Sequence, residues 1–260
     1  MSSLLKISNL GISIQNDSSI RMLLEHIDLD LNKDEIVALV GSSGGGKTSL
    51  GLSILRLLPT AMQVTEGSIL FKEKNLLEVS SFDMQHVRGK EIGMIFQDSL
   101  SAFNPVFKIG DQIGEVVQAH LGLSKQKAGN KVLELLDLVE IKDVKRVARA
   151  YPHQLSGGLR QRAMIAQAIA ASPDMVIADE PTSNLDVTIQ AKILALFKKL
   201  QTQMHLSILL ITHDLGVVRF VANRVFVLSQ GRIVESGNAR VVLDKPGHDF
   251  TKQLMAATQI

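Results

Sequence analysis

The run Gly-Ser-Ser-Gly-Gly-Gly-Lys-Thr at residues 41–48 constrains this chain more than any other feature. It fits the pattern G-x-x-x-x-G-K-[ST], which cradles phosphates when a strand precedes it and a helix follows it. The apolar, β-branched run 36–40 predicts that strand, and the segment 49–58 predicts the helix. The sequence therefore predicts a strand–loop–helix unit that holds a nucleotide by its phosphates.

Each residue type in this phosphate loop has a chemical reason. Glycines let the backbone turn its N–H groups inward, and the start of a helix favours negative charge. Lys47 is expected to reach the β- and γ-phosphates, and Thr48 to hold Mg²⁺ through its hydroxyl. The alternative is a glycine-rich turn whose lysine has no part in binding a phosphate. The predicted nucleotide contacts are Gly41, Ser42, Ser43, Gly44, Gly45, Gly46, Lys47, Thr48 and Ser49.

A second glycine pair lies in the run Leu-Ser-Gly-Gly-Leu at 155–159, where an alanine-rich helical stretch begins and continues to residue 171. Ser156 is predicted to be the N-cap of that helix. A helix start with a serine hydroxyl and two glycines, Gly157 and Gly158, can bind an anion. An ordinary serine-capped helix after a turn is the alternative interpretation.

The segment 175–180 is an apolar strand that ends in two carboxylates. In phosphate-loop enzymes such a strand supplies an Asp that orients the Mg²⁺ shell, which is the expected role of Asp179. Glu180, one residue later, projects differently and could activate water. Taken alone, the pair is more often a solvated turn, because strand ends meet polar loops.

Six elements of this chain follow one another in the order and approximate spacing of the nucleotide-binding subunit of an ABC transporter, which the chain resembles along essentially its whole length. The resemblance implies that two such subunits close face to face on two ATP molecules. Ser156, Gly157 and Gly158 of one subunit would then contact the γ-phosphate held by the other. The elements are the phosphate loop at 41–48, Gln97 after the strand 92–96, and the segments 155–159, 175–180, 183–186 and 211–214.

The resemblance also assigns roles to individual side chains. It implies that Glu180 is the general base for the attacking water and that His213 holds the γ-phosphate and that water in line. It implies that Gln97 contacts Mg²⁺ and reports the nucleotide state to a partner, and that Asp186 helps to cross the dimer interface. The expected ligands are ATP and Mg²⁺, with Thr48, Gln97 and Asp179 as the metal ligands.

Composition bounds the functions that are open to the chain. Its 260 residues are 45% apolar with a net charge of +2, which suffices for one good core with a smaller appended lobe. The weak charge argues against a dedicated nucleic-acid binder, and the basic segment 142–149 is interpreted as a solvated helix face rather than a binding patch. Without cysteine there is no disulfide framework or thiolate metal site.

The N-terminus has no signal-peptide pattern, and no apolar run approaches the ~20 residues that span a bilayer. We therefore expect a peripheral subunit, which the resemblance puts at the cytoplasmic face of the cell (inner) membrane.

Strand and helix patterns alternate around a helical block. Helices are predicted at 108–120 and 125–139 from apolar spacings of three and four. The predicted fold is α/β: one ABC ATPase domain over 1–260, a phosphate-loop core with a mixed sheet, an N-terminal antiparallel β portion, and a helical lobe inserted at about 99–154. Only helices are expected after residue 228. Strands are predicted at 4–7, 27–31, 36–40, 68–71, 92–96, 175–178, 207–211 and 224–228.

Several segments resemble the importer branch for oligopeptides, dipeptides and nickel. They are 96–105, 178–190, 212–218 and the tail from Pro246. Many peptide-type members continue into a cysteine-containing segment, whereas this chain ends at Ile260 without cysteine. This difference favours the shorter, nickel-like members of the branch. The residues at 101–105 favour the same members. The family often stacks adenine on an aromatic residue in the second strand, where this chain has Ile14. Leu159 and the run 248–251 also depart from the common pattern without removing a phosphate ligand.

The sequence thus predicts the ATP-hydrolysing subunit of an importer for peptides or nickel. The resemblance implies two transmembrane permease subunits, a second ABC ATPase that is a paralogue or a second copy, an extracytoplasmic substrate-binding protein, and no nucleic acid. Phe103, Phe107 and Ile109 are candidates for contact with the permeases or for internal packing. The alternatives are a soluble ABC-type ATPase that acts on nucleic acid or ribosomes, and a subunit that binds ATP without turning it over.

Overall fold

A computed structural model describes residues 3–16, 19–183 and 185–258, apart from the side chains of Asn16 and Thr258. Asn184, in the segment 183–186 singled out above, lies outside the described residues. The chain divides into two compact units. Unit 1 comprises Met1–Met84 with His205–Ile260, and unit 2 comprises Gln85–Met204.

After an N-terminal β region, strands and helices follow one another along the described chain, with four consecutive α-helices between the sixth and the seventh strand. The strands are β1 (Leu5–Asn16), β2 (Ser19–Leu31), β3 (Ile36–Gly41), β4 (Met62–Phe71), β5 (Lys74–Asn75), β6 (Ile92–Ile95), β7 (Met175–Asp179), β8 (Ser207–Thr212), β9 (Arg224–Ser229) and β10 (Arg232–Asn238). The helices are α1 (Lys47–Ile54), α2 (Ser81–His86), α3 (Ile109–Leu121), α4 (Lys125–Leu138), α5 (Val144–Arg149), α6 (Gly157–Ala168), α7 (Val187–Met204), α8 (Leu215–Val221), α9 (Ala239–Asp244) and α10 (Asp249–Thr258).

Unit 1 contains two sheets. The first is antiparallel, with strand order β2-β1-β4-β5. The second runs β10-β9-β3-β8, in which β3 pairs parallel with both β8 and β9, and β10 pairs antiparallel with β9. Every residue of β3 and β8 is buried, as expected of parallel strands covered on both faces. This explains why both strands are nearly continuous apolar runs.

Unit 2 pairs β6 with β7 in parallel, with Ile95 opposite Ala178. A Cβ on Gly93 would lie 2.2 Å from the carbonyl oxygen of Ala168, so glycine lets β6 run against the end of α6. Helices α3 to α7 make up most of the rest of this unit. Glu140, after α4, accepts hydrogen bonds from Lys199 of α7 and Arg162 of α6, and the bond from Lys199 is the main reason that its pKa lies below its ordinary value.

The predicted fold class is confirmed: a mixed sheet, an N-terminal antiparallel β portion and the expected helices are all present. The helices predicted at 108–120 and 125–139 are α3 and α4 with ends shifted by one residue. An inserted lobe with boundaries at about 99–154 stays a prediction.

The predicted ends of several other strands and helices were wrong. β1, β2 and β4 are longer than predicted. Register shifts interrupt the alternation of β1 after Ile7, and the outer ends of β2 and β4 are mostly exposed, so no regular apolar pattern marks them. The expectation of only helices after residue 228 missed β10, whose residues are mostly half-buried or exposed at a sheet edge. The helix predicted at 49–58 ends at Ile54, the one predicted to reach 171 ends at Ala168, and Phe96 lies beyond β6.

An ion-pair network ties the two sheets of unit 1 together. Arg224, the first residue of β9, donates to both carboxylate oxygens of Asp30 in β2, at 2.9 and 2.7 Å, and to Glu35 at 3.4 Å. Its guanidinium also lies 5.3 Å from the ring centroid of Phe226. The hydrogen bonds to Asp30 are the main reason that the pKa of Arg224 is raised. The Glu35 side chain is only 11% exposed, and it also accepts from the Asn32 N–H at 2.9 Å and from the Asn32 side-chain amide at 3.0 Å.

Arg224→Met is expected to lower the free energy of unfolding by about 2 kcal/mol, because it leaves the Glu35 and Asp30 carboxylates without their cation in a partly buried place. The matched control is Arg219→Met, which breaks the exposed ion pair with Asp244 and should cost about 0–1 kcal/mol. Urea unfolding followed by circular dichroism measures both. Equal losses for the two variants would contradict the role given to the network.

Candidate nucleotide site

The phosphate loop connects β3 to α1, and its backbone geometry requires glycine at three positions. Gly44 and Gly46 have φ of 76° and 95°, in the left-handed region. A Cβ on Gly46 would lie 2.6 Å from Cδ2 of Leu24, and one on Gly41 would lie 2.2 Å from the carbonyl oxygen of Leu228. The loop therefore has the shape that the sequence pattern predicts, and larger residues at 41 and 46 would displace β9 and β2.

Lys47 and Thr48 begin helix α1 and differ sharply in exposure. The Lys47 side chain folds back over the loop, where Nζ donates to the carbonyl oxygens of Gly41 and Ser42, both at 2.9 Å. Lys47 is only 7% exposed, whereas Thr48 is exposed. A buried ammonium on a glycine-rich loop can bind a phosphate. An accessible hydroxyl beside it can bind a cation that prefers oxygen ligands.

His213 leaves the same sheet edge as the phosphate loop. β3 and β8 are parallel neighbours, with Val40 opposite Thr212, and ligands of α/β proteins bind at such carboxyl ends. The turn that presents His213 is fixed on both sides: Thr212 Oγ1 accepts from the Asp214 N–H, and Asp214 Oδ1 accepts from the Gly216 N–H at 2.8 Å to cap α8. The exposed imidazole is thus carried on a well-anchored turn.

Gln97, Asp179 and Glu180 lie together at the carboxyl edge of the two parallel strands of unit 2. Asp179 is the last residue of β7 and is 3% exposed. Glu180 follows with φ of 47°, a conformation that costs a non-glycine residue about 1–2 kcal/mol and that recurs at functional sites. Ser183 donates through Oγ to the carbonyl oxygens of Glu180, at 2.9 Å, and Gln97, at 3.4 Å.

Two residues that were given no individual role from the sequence shape this edge. Ser183 joins the segments that carry Gln97 and Glu180, as described above. Asp98 accepts a hydrogen bond from the Leu100 N–H at 2.8 Å, and this bond is the main cause of the lowered pKa of Asp98. The Asp-Ser pair directly after Gln97 is a turn signature, so the turn that follows Gln97 could have been predicted from the sequence.

The second glycine pair begins α6 as predicted. Ser156 is the N-cap, and its Oγ accepts from the Leu159 N–H at 3.4 Å. A Cβ on Gly158 would lie 2.9 Å from Cγ2 of Ile189, so this glycine also lets the start of α6 approach α7. The Asp186 carboxylate accepts from the Ile189 N–H at 2.9 Å and caps α7, a structural role that the sequence analysis missed.

Ile14 lies in β1, not in the second strand as predicted. It lines a cavity of ≈ 270 Å³ together with residues of the phosphate loop. The structure groups the predicted site residues by unit: Gly41 to Ser49, Ile14 and His213 belong to unit 1, and Gln97, Ser156 to Gly158, Asp179, Glu180 and Asp186 belong to unit 2.

A glycine-rich loop between a buried parallel strand and a helix, with a buried lysine and an exposed threonine at the helix start, defines a phosphate-loop nucleotide-binding protein. The model of the ABC transporter family matches residues 24–183. The chain therefore belongs to the ABC transporter family, as an ATPase whose activity is coupled to transport.

Relatives and solved structures support this assignment over almost the whole chain. The dipeptide transport ATP-binding protein DppD of Bacillus subtilis (strain 168) is 45% identical over 258 residues, covering 99% of this chain and 77% of that protein. The oligopeptide transport ATP-binding protein OppD of the same organism is 45% identical over 255 residues, covering 98% and 71%. The dimeric post-hydrolysis structure of the ATP-binding cassette MJ0796 bound to ADP and Pi superimposes with a TM-score of 0.80 at 27% identity, covering 91% and 99%.

Among the described residues, no helix is both long enough and apolar enough to cross a membrane. The longest, α7, has 18 residues and carries three lysines, Lys192, Lys198 and Lys199. Its described buried residues face the core of unit 2.

The two left-handed glycines of the loop give a matched test of its geometry. Gly44→Ala meets no atom within 4 Å and should cost only the backbone strain of about 1–2 kcal/mol. Gly46→Ala adds the overlap with Leu24 to the same strain, so we expect at least a further tenfold loss of ATP affinity. Isothermal titration calorimetry with ATP measures both, and circular dichroism checks that the variants fold. Equal affinities in the two variants would refute the steric argument.

Proposed function

We propose that this chain is the ATP-hydrolysing, energy-coupling subunit of an ABC importer for peptides, and that it works at the cytoplasmic face of the inner membrane as a peripheral subunit. The observation that carries the proposal is the phosphate loop, with Lys47 and Thr48 at its helix start, in a chain that is 45% identical to dipeptide and oligopeptide transport ATP-binding proteins. The carboxyl ends of the parallel strands in unit 1 and in unit 2 carry the side chains that hydrolysis of a phosphoanhydride requires.

The residues at these edges suit Mg²⁺·ATP. Thr48, Gln97 and Asp179 offer hydroxyl, amide and carboxylate oxygens, which are the donors that Mg²⁺ prefers. The described residues contain no cluster of three or more His, Cys, Asp or Glu that could hold a metal alone, which fits an ion bound by few side chains plus substrate phosphates. When bound, Mg²⁺ would neutralise charge on the phosphate oxygens.

We assign the chemical steps to this chain's side chains as follows. Lys47 leaves its loop carbonyls to contact the β- and γ-phosphates. Glu180 accepts the proton of the attacking water, and His213 holds that water and the γ-phosphate in line. Gln97 contacts the metal and passes the nucleotide state to the segment that follows it, which Ser183 ties to the turn at Glu180.

The second ATP contact is proposed to come from another ATPase subunit, a paralogue or a second copy. Ser156, Gly157 and Gly158 present exposed or half-buried backbone N–H groups at the start of α6, which suits the γ-phosphate held by a partner. Asp186 precedes α7 and is exposed while capping it, so its backbone can contribute to the same interface. The solved relative with ADP and Pi is described as dimeric.

Glu180→Gln is expected to lower the rate of ATP hydrolysis by about 10²–10⁴-fold, because the amide cannot accept the proton from water. ATP affinity should be retained, since the phosphate loop is untouched. The matched control is Glu134→Gln, a surface change on α4 that should leave both values unchanged. Steady-state phosphate release and ATP binding measure the two effects. A Glu180→Gln variant as active as the wild type would exclude Glu180 as the base.

The segment after Gln97 is proposed to contact the permeases. Phe103 and Ile109 are 2% and 0% exposed and pack internally, whereas Phe107 is 54% exposed. Gln112 fixes the backbone around Phe107, because its amide accepts from the Asn104 N–H and donates to the carbonyl oxygens of Asn104 and Phe107. Phe107 also borders a groove of ≈ 450 Å³ whose walls include Gly110, Gly114 and Gly129. A rigidly held aromatic beside a groove lined by small and polar residues suits docking of a short segment of a membrane protein.

Affinity purification of the tagged chain from detergent-solubilised membranes of its own host tests the function directly. We expect mass spectrometry to identify two multi-spanning permeases and a second ATPase, with an extracytoplasmic binding protein encoded or recovered with them. Phe107→Ser should reduce recovery of the permeases at least fivefold. The control is Phe82→Ser, which removes an 81% exposed aromatic from α2 and should leave recovery unchanged.

The opposite results have defined meanings. Recovery of ribosomes or nucleic acid in place of permeases would favour the soluble-ATPase alternative, to which the peptide-transport relatives give no support. Permeases that stay bound to Phe107→Ser would exclude Phe107 from the contact. A binding protein that takes nickel or a nickel chelate would favour the second candidate substrate, which the sequence at 101–105 suggests; a peptide-binding protein would favour the first.

A further inference from the structure

We propose that Arg21 reads the nucleobase of the bound nucleotide and that this ATPase consequently accepts GTP at least as well as ATP. The inference deepens the proposed function, on which it rests. It concerns the ≈ 270 Å³ cavity of unit 1, one side of which is formed by Gly44, Gly46, Lys47, Thr48 and Ser49 of the phosphate loop and the start of α1.

The far side of this cavity is one row of side chains across three strands. Ile14 of β1 lies opposite Arg21 of β2 and opposite Met62 of β4, and directly opposed residues share a face of the sheet. Leu23 is the extra residue where the β1–β2 register shifts between the Leu24 and Met22 pairings, and it also lines the cavity. Met62 Sδ accepts a hydrogen bond from Ser49 Oγ at 3.6 Å, which joins the row to the first turn of α1.

A nucleotide whose phosphates lie on the loop must direct its base away from the loop, and this row is the surface next to the loop in the same cavity. The cavity lies just below the range of about 300–1,000 Å³ that holds a complete ligand, which suits the base end of a nucleotide. Ile14, Leu23 and Met62 give that end an apolar surface that tolerates different bases. Such a surface binds any purine by contact area and cannot distinguish guanine from adenine.

Arg21 supplies the only polar side chain of the strand side of the cavity among the residues that the structure describes. Arg21 is exposed, and it has no hydrogen-bond or ion-pair partner among the described residues. A guanidinium only donates hydrogen bonds. Guanine presents two acceptors, O6 and N7, on one edge, whereas adenine presents N7 beside the N6 amino donor. Arg21 is therefore matched to a 6-oxopurine and poorly matched to adenine.

The experiment is competition binding of ATP, GTP and inosine triphosphate to the purified full chain with Mg²⁺, followed by hydrolysis rates with each nucleotide. We expect GTP and inosine triphosphate to bind about 3–10-fold more tightly than ATP, since both carry O6 and N7. Arg21→Gln should invert this order, because a glutamine amide pairs with adenine N6 and N7. Arg21→Met should bring the three affinities within about twofold.

Arg240→Gln is the matched control, an exposed arginine on α9 outside the cavity, and it should leave the ratios of the wild type unchanged. A preference for ATP in the wild type, or ratios that Arg21→Gln does not alter, would overturn the proposal while leaving the ATPase function intact. Inosine triphosphate that follows ATP instead of GTP would also overturn it, since O6 and N7 would then not be read. Failure to bind any of the three would count against the proposed function itself.

Discussion

The close approach of backbones at the carboxyl end of β3 is the constraint on which the site of unit 1 depends. β3 lies between β8 and β9 in a parallel array, and at its last residue a Cβ would meet the Leu228 carbonyl oxygen at 2.2 Å. Gly41 therefore lets β9 stay paired up to the point where the phosphate loop begins. The loop then turns through Gly44 and Gly46, whose left-handed φ values direct successive N–H groups toward one side. A site made from backbone groups is as rigid as the sheet that carries it.

Several side chains at the proposed site also stabilise the fold. Asp186 and Ser156 cap α7 and α6, and Lys47 satisfies two loop carbonyls before any phosphate arrives. Because Asp186 and Ser156 already have partners in the folded chain, their positions are set in advance, which lowers the entropic cost of binding. Glu180 is the exception, since its left-handed backbone costs energy. Ser183 offsets part of that cost by donating to the Glu180 carbonyl oxygen.

The sequence could predict what depends on local pattern and could not predict what depends on distant packing. The phosphate loop, the N-cap at Ser156 and the strand ending at Asp179 follow from residue type and spacing. β10 could not be found in this way, because an edge strand such as Arg232–Asn238 is stabilised largely by its ladder with β9 and buries no regular apolar face. The division among Phe103, Ile109 and Phe107 was likewise open, since only the folded backbone decides which aromatic or aliphatic side chain the core has room for.

The pairing of β1 with β2 and β4 has a consequence for recognition that the loop motif does not contain. Phosphates are held by a backbone that almost any sequence with the right glycines can supply, so their recognition is insensitive to the identity of the base. The base is met by cross-strand side chains, and there one position is enough to change what is read. Ile14 gives the base an apolar contact surface but no aromatic ring on which to stack. Arg21 is therefore the side chain that distinguishes one purine from another. Nucleobase preference in a chain of this kind is therefore a property of strand register, because a shift of one residue between β1 and β2 would turn Arg21 to the other face.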